Sequence, residues 1–290
     1  MDPNLKTIMI GGPGRSGTTF LAAALRQHPD VASFEAVELK FLFELGGLTD
    51  LGLVLCDSFS PNRAWVAIGQ FRRLVNQLRN GGYDQPVLAG NGLYGGVGQA
   101  LDRFLSRVAP DGVAQPMGRP TYRAAARDFF HDIAALAVPM RPGATHFLEK
   151  TPHNLLAPAS IVEFVGPDAK CIHLIRDPRA TALSLVRQAW GPPTLPAAIA
   201  WVESYYRQWT AVRQDFRGMN LLELRIEDVA ADPPGAEARI LAWLDLPPHG
   251  ILGQVDTKVL AGRMAQVEAA DRALLDAGLG DLARRLGYGH

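Results

Sequence analysis

A short apolar run, Ile8-Met9-Ile10, passes into Gly11-Gly12-Pro13-Gly14-Arg15-Ser16-Gly17 and then into Thr18-Thr19-Phe20-Leu21. Strand, glycine-rich turn and helix in that order constrain the chain more than any other feature. Such a turn aims successive backbone N–H groups at one point, where an anion sits at the positive end of the helix. A triphosphate loop reads G-x-x-x-x-G-K-[ST], with the Lys reaching the outer phosphates. Gly12 and Gly17 keep that glycine spacing, but Thr18 stands where the Lys belongs, and Arg15 is the loop's single cation. The loop is built for a phosphate and lacks the group that ordinary ATP hydrolysis needs.

A second strand-to-helix junction lies at Lys170-Cys-Ile-His-Leu-Ile-Arg-Asp-Pro-Arg-Ala-Thr-Ala-Leu-Ser-Leu185. Cys171–Ile175 is the apolar strand, and Pro178 suits the first turn of the following helix. Arg176 leaves the strand end and Ser184 follows eight residues later on the helix. Arg offers a fixed fork of donors for a phosphate, and Ser adds a hydroxyl donor. The alternative is that Arg176 pairs with Asp177 or Glu149 and that Ser184 is an ordinary helix residue. A third segment, Glu149-Lys150-Thr151-Pro152-His153-Asn154, ends another inner strand.

Together these segments resemble the sulfotransferases that use 3′-phosphoadenosine 5′-phosphosulfate (PAPS). The Arg15-to-Thr19 run, Arg-Ser-Gly-Thr-Thr, is similar to the branch holding tyrosylprotein, carbohydrate and bacterial small-molecule enzymes. The resemblance runs from Thr7 to about Asp245. It implies a three-layer, P-loop-like α/β fold, a central parallel sheet flanked by helices, with a mainly helical insertion over about 45–145 that forms a cap. It implies that Arg15, Ser16, Gly17, Thr18 and Thr19 cradle the 5′-phosphosulfate and that Arg176 and Ser184 hold the 3′-phosphate. Arg263, in a degraded basic-loop text Ala-Gly-Arg-Met, is a third candidate contact. The cofactor is then PAPS, the product PAP, and no metal is required.

Sulfuryl transfer to a hydroxyl needs a base for the acceptor's proton and cations for the leaving charge. The base expected from the resemblance is Glu38, in Glu38-Leu39-Lys40-Phe41-Leu42, with Glu35 and His153 as rivals. Lys150 and Arg15 are expected to stabilise charge. His153 and His173 have no partners at metal-ligand spacing.

Composition narrows the partners. The 290 residues carry 29 basic and 29 acidic side chains, so no global field recruits nucleic acid or an anionic membrane. Five of the basic residues are Lys, which with the abundant Ala points to a GC-rich bacterial genome. Cys56 and Cys171 make neither a metal spacing nor a disulfide framework. The start shows no basic-then-apolar signal pattern and no apolar run approaches ~20 residues, so a cytoplasmic protein without a membrane span is expected.

The pattern alternates as an α/β fold requires. Strands are expected at Thr7–Ile10, His146–Leu148, Lys170–Ile175 and Leu221–Leu224, with a short extended segment at Val31–Phe34. Helices are expected at Thr18–Gln27, Pro158–Val165, Pro178–Gln188, Ala197–Arg217, Pro234–Leu244 and over 265–286. Trp65–Leu78 and Tyr122–Val138 read as helices separated by glycine-rich breaks, among them Asn91-Gly92-Leu93-Tyr94-Gly95-Gly96. Phe59, Trp65, Tyr83 and Tyr94 are candidate acceptor-lining aromatics, or core. Arg225–Val229 reads as structural, with Glu227 or Asp228 capping or pairing. The whole is expected to be one domain, 1–290. It would act on a hydroxyl of a natural product, sugar or lipid, with the oligomeric state left open. The rivals are a nucleotide-kinase-type phosphotransferase and a non-catalytic nucleotide-binding protein on the same scaffold.

Overall fold

A computed structural model describes residues 5–34, 38–79, 93–253 and 267–289. In chain order its first elements are β1 (Lys6–Gly11), α1 (Thr18–Leu25), β2 (Val31–Ala32), α2 (Leu48–Gly52), α3 (Pro61–Arg79), α4 (Leu93–Val108), α5 (Arg119–Ala135) and β3 (His146–Lys150). Then follow α6 (Pro158–Ser160), β4 (Lys170–Ile175), α7 (Pro178–Leu185), α8 (Leu195–Val212), β5 (Asn220–Arg225), α9 (Ile226–Ala231), α10 (Pro233–Leu244) and α11 (Ala269–Arg285). Five strands form one sheet in the order β2-β3-β1-β4-β5. Val31 pairs with His146 and Ala32 with Phe147 in parallel register. This is the parallel-sheet α/β class expected from the sequence. β1 buries every residue after Lys6, as a strand covered on both faces must.

The chain divides into two compact units, residues 1–9 with 29–170, and residues 10–28 with 171–290. The first is held by aromatic packing. Phe129 meets Phe41, Phe71 and Phe104 at centroid distances of 5.1, 5.5 and 5.2 Å. Tyr122 packs edge-on against Phe104 and Phe164, and its buried hydroxyl donates to the Leu48 carbonyl at 2.6 Å. Gly95 and Gly96 lie inside α4 rather than in a break between helices. A Cβ on Gly96 would fall 2.5 Å from Leu136 Cδ2, so the missing side chain lets the two segments touch.

In the second unit three helices, α7, α8 and α10, start at side-chain caps. Asp177 accepts from the Arg179 N–H at 2.9 Å, Thr194 from the Ala197 N–H at 3.3 Å and Asp232 from the Gly235 N–H at 3.0 Å. His173 on β4 is buried with its ring 3.7 Å from that of Trp209, and burial pushes it down to about 3. It is therefore a neutral core histidine.

Most helix boundaries differ from expectation by a few residues. Pro158–Val165 is helical over its whole expected length, but after Ser160 its turns widen from α to π over Ile161–Val165. There Arg127 Nη2, from α5, donates to the carbonyls of Val162 and Glu163 at 2.9 and 3.2 Å, competing with regular helix bonds. α8 stops at Val212, with a tighter turn over Arg213–Phe216. The segment after β5 holds a short helix, α9, that periodicity over six residues could not reveal. Glu35, Tyr83, Lys258, Arg263 and the Tyr94 side chain lie outside the described residues.

Candidate active site

The loop after β1 owes its shape to glycine at two positions. Gly12 has φ +150° and Gly17 φ +98°. A Cβ on Gly12 would lie 2.5 Å from the Leu174 carbonyl oxygen, and one on Gly17 2.8 Å from Ile226 Cγ1. Arg15 also adopts a left-handed conformation, φ +71°, which costs a non-glycine residue on the order of 1–3 kcal/mol. The conformation has a structural return. The Arg15 carbonyl accepts from Arg176 Nη1 at 2.9 Å, and Arg15 Nε donates to Ser184 Oγ at 3.2 Å. Three residues that the sequence singled out separately are thus joined in one cluster.

Among the described residues, several donors in that cluster have no protein partner. α1 begins at Gly17 with no side-chain cap, and its first bond is Leu21 N–H to the Gly17 carbonyl at 3.0 Å. The N–H groups of the first turn are therefore available to a ligand. Ser16 Oγ and Arg176 Nε are buried and have no hydrogen-bond partner among the described residues. An unmet buried donor costs about 1–3 kcal/mol, which a bound anion relieves. Burial disfavours the Arg176 charge, and Glu227 opposes that effect. Thr18 is buried where a kinase Lys would stand, and Thr19 is exposed. Orphaned donors, two guanidinium groups and a backbone cradle fit a multiply charged phosphate ester.

Asp177 and Glu227, whose charges act on Arg176, make their hydrogen bonds to other groups. Asp177 takes Arg179 through both carboxylate oxygens, at 3.1 and 2.9 Å. Glu227 accepts the Asp177 N–H at 3.1 Å and the Tyr288 hydroxyl at 2.7 Å, the pairing role expected for it. Trp190 was not singled out from the sequence. It is 60% exposed, and a Cβ on Gly14 would come within 3.8 Å of its ring. An exposed Trp in a Gly-Pro-Pro turn is the signal that could have found it.

The second cluster, in the other unit, is built around the end of β3. Lys150 Nζ donates to Glu38 Oε1 at 2.5 Å, and Lys40 Nζ lies 3.7 Å from Glu38 Oε2. The neighbouring Glu149 is buried. Its Oε1 accepts from the Leu39 N–H at 3.2 Å and from the Thr151 hydroxyl, and its Oε2 from Asn154 Nδ2 at 3.1 Å. Burial pushes the Glu149 carboxyl up to about 7 against those hydrogen bonds. His153 is lowered by burial, while Glu44 and Glu38 raise it and Lys40 lowers it further. Glu38, Lys40, Lys150 and His153 therefore share one electrostatic environment. Among the expected acceptor aromatics, Trp65 is 75% exposed.

Among the described residues, no group of three or more His, Cys, Asp or Glu is placed to hold a metal ion. Among the same residues, no helix is long and apolar enough to cross a membrane.

A model described as the sulfotransferase family matches residues 100–249. No curated protein matches the chain. Solved structures similar to it include the sulfotransferase domain of the Synechococcus PCC 7002 olefin synthase. That domain is 19% identical, with 99% of this chain and 96% of that one covered and a TM-score of 0.56. The sulfotransferase domain from the curacin biosynthetic pathway is 15% identical, covering 98% of each chain at a TM-score of 0.51. A sulfotransferase from Alicyclobacillus acidocaldarius is 17% identical, covering 97% of this chain and 92% of that one at 0.50. At these identities the likeness is one of fold.

Proposed function

This chain belongs to the sulfotransferase family, and we propose that it transfers a sulfuryl group from PAPS to a hydroxyl of a small-molecule acceptor. The observation that carries the donor assignment is the Arg15–Arg176–Ser184 cluster, with buried donors on Ser16 and Arg176 left unmet. Bound there, PAPS supplies the sulfuryl group that passes in line to the acceptor oxygen.

Each residue's part follows from its chemistry. The backbone from Arg15 to Thr19, with the Ser16, Thr18 and Thr19 hydroxyls, holds the 5′ end. Arg176 and Ser184 hold the 3′-phosphate by charge-assisted hydrogen bonds, and Arg263 is assigned as a third contact there. Glu38 takes the acceptor's hydroxyl proton. Its Oε2, 3.7 Å from Lys40 Nζ and so beyond hydrogen-bonding distance of it, is the atom assigned to do so. Lys150 and Arg15 supply positive charge as negative charge develops on the leaving oxygen. The helical stretch over about 45–145 is assigned to enclosing the acceptor, whose class is a natural product, sugar or lipid alcohol. The cytoplasm is the assigned compartment.

Thermal unfolding of the wild-type chain with PAP, 5′-AMP or Mg-ATP tests this reading. A ligand at a hundredfold excess over its Kd stabilises the native state by about 2.7 kcal/mol. PAP is expected to raise the Tm, with 5′-AMP weaker and Mg²⁺ without effect on the PAP shift. Equal or larger stabilisation by Mg-ATP would sink the donor assignment in favour of a phosphotransferase. Stabilisation by PAP without turnover of PAPS on any alcohol would identify a non-catalytic nucleotide binder.

A further inference from the structure

A carboxylate withdrawn from water is costly unless donors surround it. Glu149 is 2% exposed and has three, drawn from Leu39, Thr151 and Asn154. The first is the informative one. Leu39 is 110 residues away in sequence and is the peptide neighbour of Glu38. Successive strand residues face opposite ways. Glu149 therefore turns into the interior and grips the backbone at Leu39, while Lys150, the next residue, grips the Glu38 carboxylate at 2.5 Å. Two consecutive residues of β3 thus fix the 38–39 dipeptide by its main chain and by its side chain. The Thr151 hydroxyl and the Asn154 amide hold the Glu149 carboxylate in the orientation that reaches Leu39.

We infer that Glu149 is a positioning residue, whose hydrogen bond to the Leu39 N–H holds the neighbouring Glu38 carboxylate against Lys150. The inference rests on the reading of Glu38 as the base for its catalytic meaning, but its geometric content stands apart from turnover. A purely structural Glu149 would leave the state of Lys150 alone in any variant that stays folded.

The test is amine labelling of the intact chain with acetic anhydride, read at Lys150 by mass spectrometry, with Lys6 as the internal reference. Glu38→Ala, which removes the ion pair, sets the fully released value. Glu149→Ala is expected to raise Lys150 labelling at least about tenfold toward that value, the scale of one lost hydrogen bond to a charged group. Glu149→Asp, which keeps the charge but shortens the reach by one methylene, should do the same and covers the case in which the Ala variant does not fold. Glu149→Gln should stay near wild type. Its Oε1 can still accept from Leu39, and its Nε2 can donate to Asn154 Oδ1, a buried atom with no partner among the described residues, once the Asn154 amide turns over. Wild-type labelling in folded Glu149→Asp, or release in Glu149→Gln equal to that in Glu149→Asp, overturns the inference. Failure of the base reading has a different signature. Glu38→Gln would then turn over PAPS normally while the labelling pattern stayed as expected.

Discussion

The loop cluster and the β3 cluster treat charge in opposite ways. Around Arg15 and Arg176, two guanidinium groups share a region in which donors are left over: the uncapped first turn of α1, Ser16 Oγ and Arg176 Nε. Around Glu38 and Glu149, carboxylates and cations answer one another within the protein. Lys150 and Lys40 serve Glu38, and three donors serve Glu149. A region with surplus donors is completed by an anionic ligand. A region with internally matched charges is instead set up to move a proton without importing net charge. The difference argues for a donor-binding role in the first and a proton-handling role in the second.

Substitution at Glu38 should separate the two regions most strongly. Glu38→Gln keeps the shape and the acceptor oxygen for Lys150 but cannot take a proton. Turnover should fall ~10²–10⁴-fold, the usual effect of removing a general base, while PAP affinity is unchanged. Steady-state kinetics with PAPS, beside calorimetric PAP titration, measures both. A parallel loss of PAP binding would erase the distinction between the regions, and full activity would move the base role to Glu35 or His153.

Arg176→Ala should act on the other side of the comparison and less drastically. A hydrogen bond to a charged group contributes about 1.5–3 kcal/mol, so PAP binding should weaken roughly 10- to 100-fold. Binding of 5′-AMP, which lacks the 3′-phosphate, should change much less. Equal losses for PAP and 5′-AMP would mean that Arg176 supports the loop through the Arg15 carbonyl rather than meeting the 3′-phosphate.

The two regions were also unequally legible in the sequence. The loop was readable because its conformation is tied to residue type. Gly12 and Gly17 sit at positive φ with neighbours under 3 Å from any added Cβ, so their spacing in sequence carries the geometry. Arg176 and Ser184 were readable because a strand end and the next helix fix their separation. Glu149 was visible as the first residue of a motif and as an alternative partner for Arg176, but its hydrogen bond to Leu39 was not, because local patterning cannot connect the two. A charged residue inside an inner strand was the one available hint. The helices of the 45–145 stretch were legible as helices, but their packing was not. Gly95 and Gly96 read as a break because glycine weakens an isolated helix, whereas contact with Leu136 favours glycine there.

The buried Glu149 carboxyl gives the comparison a thermodynamic handle that the loop cluster lacks. In the folded chain burial raises it from 4.5 to about 7. Between those values the native state holds more protons at this site than the unfolded chain does. Its contribution to stability is therefore full below about 4.5 and is lost as pH rises through about 7. Glu149→Gln is uncharged at every pH and removes that contribution. The unfolding free energy of wild type minus that of the variant should decline by about 1.4 kcal/mol per pH unit across this window and level off above it. Urea titrations at half-unit pH intervals measure the difference directly, and other titrating groups cancel between the two chains. A flat difference would mean that the Thr151, Asn154 and Leu39 donors fully offset the cost of burial. Glu149 would then be a carboxylate throughout, matched as tightly as the Glu38–Lys150 pair beside it.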